Sequence, residues 1–271
     1  MKCWLNGVFC AVKDARIAPE DRGFLLGDGI FETLLAVDGE ARHAGEHLMR
    51  LIGAARLLGI PLPYSQAAIV DAMQRLLREN GLQQGRAALR LTLTRGVGAR
   101  GVAPPADAKP TLLLTAVSIP PPPSSLRATV SSYVRNEKSV SSRIKSLNYL
   151  DNIMARNEAM NRRVDEALMC NSSGNLASAS AANLFLVTDG ILRTPSVAEG
   201  ALPGTTRARV LQAAAAQHIE VREGGVTRDT LKEAAEVFLT NALIGVCPLV
   251  EIDGNPVGRC VEGPLTHRLR V

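Results

Sequence analysis

The sequence predicts a two-domain fold that mixes strands and helices, α+β or α/β in class. Three observations support it. Short apolar runs typical of strands alternate with stretches of helical spacing. The length, 271 residues, suits one large domain or two medium ones. The segment "SIPPPPSS", 118–125, sets four consecutive prolines between two groups of such elements. Proline fixes φ and has no N–H, so this segment is a stiff connector rather than a helix or a central strand. The expected organisation is a smaller N-terminal domain over 1–117, a connector over 118–125 and a larger C-terminal domain over 126–271 with a cleft between the two.

In the first part, "LNGVFCAV", "FETLLAV", "RAALRLTLTRG" and "PTLLLTAVSI" read as strands. In "GEHLMRLIGAARLLGI" the residues Leu48, Leu51, Ala54, Ala55 and Leu58 recur at helical spacing. "SQAAIVDAMQRLLRENG" begins with a Ser cap and stops at Gly81, the signature of a second helix. After the prolines, "LRATVSSYVR" reads as a strand and "YLDNIMARNEAMNRR" as a helix started by Asp. "EALMCN", "ANLFLV" and "GILRTP" are strands, "TTRARVLQAAAAQHI" is a helix, and "EVFLTNALIGVCPLVEIDG" is strand-rich. In "GNLASASAANLF", 174–185, Ala and Ser dominate, and only the end reads as a strand.

Composition narrows the function. Aromatic residues are only 3%, which argues against stacking platforms for single-stranded nucleic acid. The net charge of +5 comes from scattered Lys and Arg, so a solvated surface is the better reading than nucleic-acid or membrane binding. No apolar run reaches membrane-spanning length, and "MKCWLNGVFC" is too short and interrupted for a signal peptide. Cysteines at 3, 10, 170, 247 and 260 form no metal-binding spacing, so no metal site is expected. A cytoplasmic protein with reduced thiols is the expectation.

Several stretches can carry chemistry. In "EGALPGTTRARVL" a Pro-Gly turn delivers Thr205 and Thr206 to a helix start, whose unpaired N–H groups suit a phosphate; ordinary capping explains the same residues. In "RIKSLNYLDN", Lys145 is either a surface lysine or a partly desolvated amine nucleophile. His47 and Arg50 in "EHLMRL" share a helix face; Arg50 suits phosphate oxygens, or is a surface Arg, and His47 packs or bonds locally. The glycines of "DRGFLLGDGIFETLL" read as a backbone shape requirement, and Asp28 and Glu32 have no evident partner for paired-carboxylate catalysis. Arg95 and Arg100 in "LTRGVGARG" either bind carboxylates or are simply exposed.

Taken together and in order, these segments resemble the class IV aminotransferase family, the fold-type IV pyridoxal-phosphate enzymes. The resemblance covers nearly the whole chain, through "DRGFLLGDGIFETLL", "EHLMRL", "LTRGVGARG", "RIKSLNYLDNIMARNEA", "ASAANLFLV", "LPGTTR" and "VFLTNALIGVCPLVEIDG". It implies a D-amino acid aminotransferase-like fold, pyridoxal 5'-phosphate as cofactor, a small-molecule carboxylate substrate and a homodimer. It implies that Lys145 in the C-terminal domain is the Schiff-base lysine and that Arg50 grips the cofactor phosphate. Gly204, Thr205 and Thr206 match the phosphate-binding turn, with Leu202 against the ring. Ser178, Ala179 and Ser180 line the ring, and Thr240 and Asn241 match a pair close to the cofactor. Phe31, the "TRGVGARG" loop and "LTNALIGVCPLVEIDG" look most like the aminodeoxychorismate lyases of the family, although Val102 stands where those carry Tyr. That likeness implies conversion of 4-amino-4-deoxychorismate to 4-aminobenzoate and pyruvate, a step of folate synthesis, with Phe31, Arg95 and Arg100 on the substrate side. D-amino acid or branched-chain aminotransferase activity, and a drifted cofactor-binding protein, are the alternatives.

One position departs from the family pattern. Aligned on "ANLF", Ser178 stands where the family carries Glu beside the pyridine nitrogen. A carboxylate there raises the pKa of that nitrogen, whereas a hydroxyl only hydrogen-bonds.

Overall fold

The computed structural model describes residues 1–271. The chain divides into two compact units, Met1–Pro121 with Lys145–Asn148, and Pro122–Ile144 with Tyr149–Val271.

The first unit holds β1 (Lys2–Leu5), β2 (Val8–Ala11), α1 (Arg22–Leu26), β3 (Gly29–Val37), β4 (Glu40–Ala41), α2 (Ala44–Leu58), α3 (Gln66–Glu79), β5 (Arg86–Thr94) and β6 (Thr111–Ser118). Its six strands form one antiparallel sheet in the order β2-β1-β6-β5-β3-β4. The run expected as one strand, "LNGVFCAV", is a hairpin. Asn6 and Gly7 both have positive φ, the backbone that a two-residue turn between twisted strands requires. Side chains alternate along β3 and β5, so Ile30, Leu34, Ala36, Leu89, Leu91 and Leu93 share one buried face. On α2, Leu48, Leu51, Ala54 and Ala55 are buried, as are Ile69, Met73, Leu76 and Leu77 on α3. Each leucine buried this way contributes roughly 1.5–3 kcal/mol. α3 is capped at its start by the Ser65 hydroxyl, which accepts from Ala68 N–H at 3.2 Å.

A buried polar cluster shapes the "DRGFLLGDG" segment. Asp21 accepts from the hydroxyls of Thr94 and Thr111 and from Gly23 N–H. A Cβ at residue 23 would strike Thr94, which explains that glycine. Asp28 accepts from Arg22 Nε at 2.8 Å and from Arg95 Nε at 2.7 Å. Arg95 also donates to the carbonyls of Leu58 and Gly59, so a cation closes the C-terminal end of α2. Arg22 donates to the carbonyls of Gly101, Val102 and Ala103 and thereby folds the loop that follows β5.

The second unit holds β7 (Leu126–Val130), α4 (Val140–Arg143), α5 (Leu150–Asn161), β8 (Glu166–Cys170), β9 (Leu176–Ala179), β10 (Asn183–Thr188), β11 (Ile191–Pro195), α6 (Thr205–Ala216), β12 (Val221–Gly224), α7 (Arg228–Lys232), β13 (Glu236–Asn241), β14 (Gly245–Ile252), β15 (Asn255–Pro256) and α8 (Pro264–Arg268). Its sheet runs β12-β11-β10-β13-β14-β7-β8-β9, with β15 paired to β14. Parallel pairs join β14 to β7, β7 to β8 and β11 to β12. β10 and β13 are buried on both faces. Leu184, Leu186, Val237 and Leu239 point into one cluster; Phe185, Val187 and Phe238 point into another, with Val210 and Ala214 of α6. The Phe185 and Phe238 rings stack at 5.0 Å across the strand pair.

Three sequence expectations are corrected. α5 begins after Tyr149 without a side-chain cap, and Asp151 lies in its first turn, where a negative charge favours the helix dipole. Leu176–Ala179 is a strand despite its Ala and Ser content, because its pairing with β8 and complete burial override a weak propensity. Lys145–Asn148 groups with the first unit rather than the C-terminal one. Phe31 N–H donates to Lys145 C=O, Leu147 N–H donates to Gly29 C=O, and Ile30 bridges Ser146. The tetrapeptide is thus bonded to the start of β3.

Burial works to raise the pKa of Asp28, but the hydrogen bonds and charges of Arg95 and Arg22 outweigh it and hold the carboxyl below the usual range. Its stabilising effect is therefore present above the ordinary carboxylate pKa and lost as pH falls through the lowered native value. Asp28→Asn is expected to cost about 3 kcal/mol at neutral pH, because two largely buried guanidinium groups lose their counter-charge. Urea unfolding of both proteins checks it: the gap between them should narrow as the pH is taken down through that native value.

Candidate functional site

Strand alternation gives β3 two chemical faces. Phe31 and Glu32 are neighbours in sequence and point to opposite sides of the sheet. Glu32 points at α2 and is 1% exposed. Its carboxylate accepts from Arg50 Nε at 2.7 Å, from Arg50 Nη2 at 2.6 Å, and meets His47 Nδ1 at 2.7 Å. Burial tends to raise the Glu32 pKa, but the bonds from Arg50 and His47 prevail and keep the carboxyl ionised and below its ordinary range. The fork geometry fixes the plane of the Arg50 guanidinium. Motif spacing offers no partner for Glu32, yet a signal is present in the sequence. His47 and Arg50 share the face of α2 that packs on β3, and every second β3 residue faces that helix.

On the other face, Phe31 is 5% exposed and lies under two cations. Lys145 Nζ is 4.4 Å from the ring centroid and the Arg90 guanidinium 3.8 Å. Such contacts hold a cation in place at modest energy. Lys145 is half-buried and its backbone is bonded to Phe31 itself, so the amine is anchored at its root and beside its tip. Arg90 is exposed and belongs to none of the sequence motifs. It lies two residues from the position opposite Phe31 in the β3–β5 register, which brings it over the ring.

The two arginines of the "LTRGVGARG" loop separate. Arg100 is exposed. Arg95 is buried, and its Nε, Nη1 and Nη2 all donate to Asp28 or to the end of α2. The expectation that Arg95 meets substrate is corrected: it is a structural cation whose charge is already matched.

In the second unit, α6 starts at Thr205 behind Gly204, which has no side chain to cap the first turn. Asn183 Nδ2 donates to Leu202 C=O at 2.8 Å, and a Cβ on Gly204 would collide with Asn183 Oδ1. The turn 202–204 is therefore pressed onto β10, and Thr206 is buried. Opposite Asn183 in β13 stands Thr240. Thr240 is 1% exposed and its Oγ1 has no hydrogen-bond partner within the protein. By alternation it shares the Phe238 face, which α6 covers. Asn241 shapes the following turn, with Oδ1 accepting from Leu243 and Ile244 N–H and Nδ2 donating to Ala181 C=O.

Ser178 lies opposite Met169, on the side that α5 covers. It is 5% exposed, and its Oγ is likewise without a partner. Its neighbours differ. Ala179 packs into the cluster on the opposite face, so only its backbone is available on the Ser178 side. Ser180 donates to the Glu166 carboxylate, which also accepts from Ala167 N–H and pairs with Arg156 at 3.3 Å. The acid closest along these strands is thus committed elsewhere. Buried hydroxyls are nearly always bonded, so two unpartnered ones are informative.

Residues 29–252 match the family model for amino-transferase class IV. A Methanocaldococcus jannaschii protein designated a candidate branched-chain-amino-acid aminotransferase is 36% identical, over 100% of this chain and 94% of its own length. The D-alanine aminotransferase of Staphylococcus haemolyticus is 31% identical, over 99% and 95%. Among solved structures, the T.th. branched-chain amino acid aminotransferase complexed with N-(5'-phosphopyridoxyl)-L-glutamate aligns with a TM-score of 0.90 at 28% identity, covering 99% of this chain and 91% of that one. A candidate 4-amino-4-deoxychorismate lyase from Legionella pneumophila aligns with a TM-score of 0.89 at 29% identity, covering 95% and 94%. The chain belongs to the class IV aminotransferase family and has its fold-type IV architecture, with pyridoxal 5'-phosphate as cofactor.

Proposed function

We propose that the protein is a pyridoxal-phosphate lyase that converts 4-amino-4-deoxychorismate to 4-aminobenzoate and pyruvate. The observation that carries this reading is Ser178, a buried, unpartnered and uncharged hydroxyl where the family pattern has a carboxylate. The residues present fit the cofactor. A ring nitrogen and phosphate oxygens are acceptors, and Ser178 and Thr240 are buried donors without partners.

Bound pyridoxal phosphate supplies an aldehyde that takes up primary amines and a ring that withdraws electrons. The remaining work belongs to the chain. Lys145 Nζ provides the resident amine and then carries a proton to and from the reacting carbon. The first turn of α6, with Gly204, Thr205 and Thr206, and the Thr240 hydroxyl would hold the phosphate. Arg50, its guanidinium plane fixed by Glu32, matches the arginine that in the family grips the cofactor phosphate. Leu202 and the backbone at Ala179 and Ser180 would line the ring, and Asn241 holds the adjoining turn. Arg90, next to Lys145 over Phe31, takes a substrate carboxylate, and exposed Arg100 attracts the dicarboxylate substrate.

A hydroxyl at Ser178 leaves the ring nitrogen without the negative neighbour that raises its pKa. The ring is then a weaker electron sink. That suits an elimination driven by formation of an aromatic product better than the reversible proton shift of transamination. Aminotransfer is the second reading, favoured by the 36% and 31% identity to aminotransferases. A homodimer in the cytoplasm accompanies either reading.

Turnover of 4-amino-4-deoxychorismate, run beside a panel of D- and L-amino acids with pyruvate or 2-oxoglutarate, separates the two. Release of 4-aminobenzoate and pyruvate without a second substrate is expected; amino-group exchange with no aromatic amine would replace the lyase by the aminotransferase. Added cofactor should give the protein a visible absorption band that Lys145→Ala abolishes along with activity, and a wild type that takes up no cofactor would sink both. Ser178→Glu is expected to raise amino-group exchange relative to lyase turnover by at least about tenfold, the size of one pKa-unit effect. Arg90→Ala should raise KM for the carboxylate substrate about 10- to 100-fold, as loss of a charge-assisted bond does, with a much smaller change in kcat.

A further inference from the structure

We propose that Cys3 and Cys10 form a reversible cross-strand disulfide by exchange with a low-molecular-weight disulfide of the glutathione type. The proposal is independent of the cofactor and of the reaction assigned above.

The hairpin register places Cys3 directly opposite Cys10. Val12 N–H donates to Met1 C=O at 3.1 Å, so counting along the ladder makes Cys3–Cys10 a hydrogen-bonded pair. Such pairs have Cα atoms about 5.5 Å apart, within the span a disulfide bridges. The two side chains lie on the same side of the hairpin, and the Sγ atoms are 3.7 Å apart. Small rotations about χ1 bring them to bonding distance without unpairing the strands. The other three cysteines lie in the second compact unit, so within the first unit each of these thiols has only the other.

Their surroundings assign different tasks. Cys3 is 1% exposed on a strand flanked by β2 and β6, whereas Cys10 is half-buried on the edge strand β2. Burial, and then its hydrogen bond with Cys10, pushes the Cys3 thiol up to about 11. Cys3 is therefore shielded from small oxidants and is a thiol at neutral pH. Cys10 is the entry point.

The exchange balances. Cys10, having lost its proton to solvent, attacks one sulfur of oxidised glutathione and expels a glutathione thiolate. Cys3 then gives up its proton and attacks Cys10 Sγ, expelling the second glutathione thiolate. Two protein thiols are oxidised by two electrons, one small disulfide is reduced to two thiols, and the two protons end on glutathione. Excess glutathione reverses both steps. The bond ties edge strand β2 to β1, next to Trp4, the single tryptophan of the chain.

The test uses full-length cofactor-loaded protein equilibrated over a range of reduced-to-oxidised glutathione ratios, quenched in acid and alkylated under denaturing conditions. Trypsin cuts after Lys2 and Lys13, so one peptide holds both cysteines. It should lose about 2 Da and escape alkylation at oxidising ratios, regain both thiols at reducing ones, and change Trp4 fluorescence in parallel. Cys3→Ser should instead accumulate a mixed disulfide of glutathione on Cys10, and Cys10→Ser should leave Cys3 free. Two alkylated thiols at every ratio, or a wild type that stops at the mixed disulfide, would overturn the proposal.

Discussion

The first unit turns on the alternation of strand β3. Adjacent residues on a strand face opposite ways, so a single peptide step carries the structure from a buried ion pair to the Lys145 amine. On one side Glu32 is ionised in the interior, which is costly unless several donors meet it. Arg50 and His47 do so from one helix face. On the other side Phe31 supports Lys145 and Arg90. A one-residue slip in the β3–β5 register would exchange these faces, burying the aromatic ring against α2 and stranding the carboxylate. The fixed register thus sets Arg50 and the Lys145 amine on opposite faces of one strand.

The bonding of Lys145–Asn148 to β3 also fixes where the lysine sits. A lysine on a free loop has many rotamers to lose before it can act, and ordering it is an entropic cost. Here the backbone of Lys145 is already in a ladder with Phe31, and the side chain lies over the ring that follows from that pairing. The cost of ordering this side chain is thus met on folding. The Asp28–Arg22–Arg95 cluster holds the entrance to β3 in the same manner, which explains why the "DRGFLLGDG" segment combines glycines with charges.

In the second unit the informative groups are those without partners. Most buried polar atoms there are satisfied: Ser180 by Glu166, Asn183 by the 202–204 turn, Thr194 by Leu184 C=O. Against that background Ser178 and Thr240 stand out, both on the sheet face away from the cluster of Leu168, Ala179, Leu184 and Leu239. Each is a buried donor left without a partner, which is the exception among the polar groups of this unit.

Much of the protein was legible in one dimension. Helical spacing located α2 and α3, the Pro-Gly-Thr-Thr turn located the start of α6, and the ordered set of short segments identified the family. These are local or periodic features, set by residues within a turn or two of each other. What only the tertiary structure decided depends on residues far apart in the chain. The Asp28 partner Arg95 is 67 positions away, and the donors to Glu32 are 15 and 18 away. The Ala/Ser run became a strand because β8 was there to pair with it. Lys145 joined the first unit because β3 had unpaired backbone at its start, and Arg95 became structural because α2 ends beside it. Whether a polar side chain is spent on the fold or kept for chemistry depends on which partners folding brings to it, and spacing along the chain does not encode that.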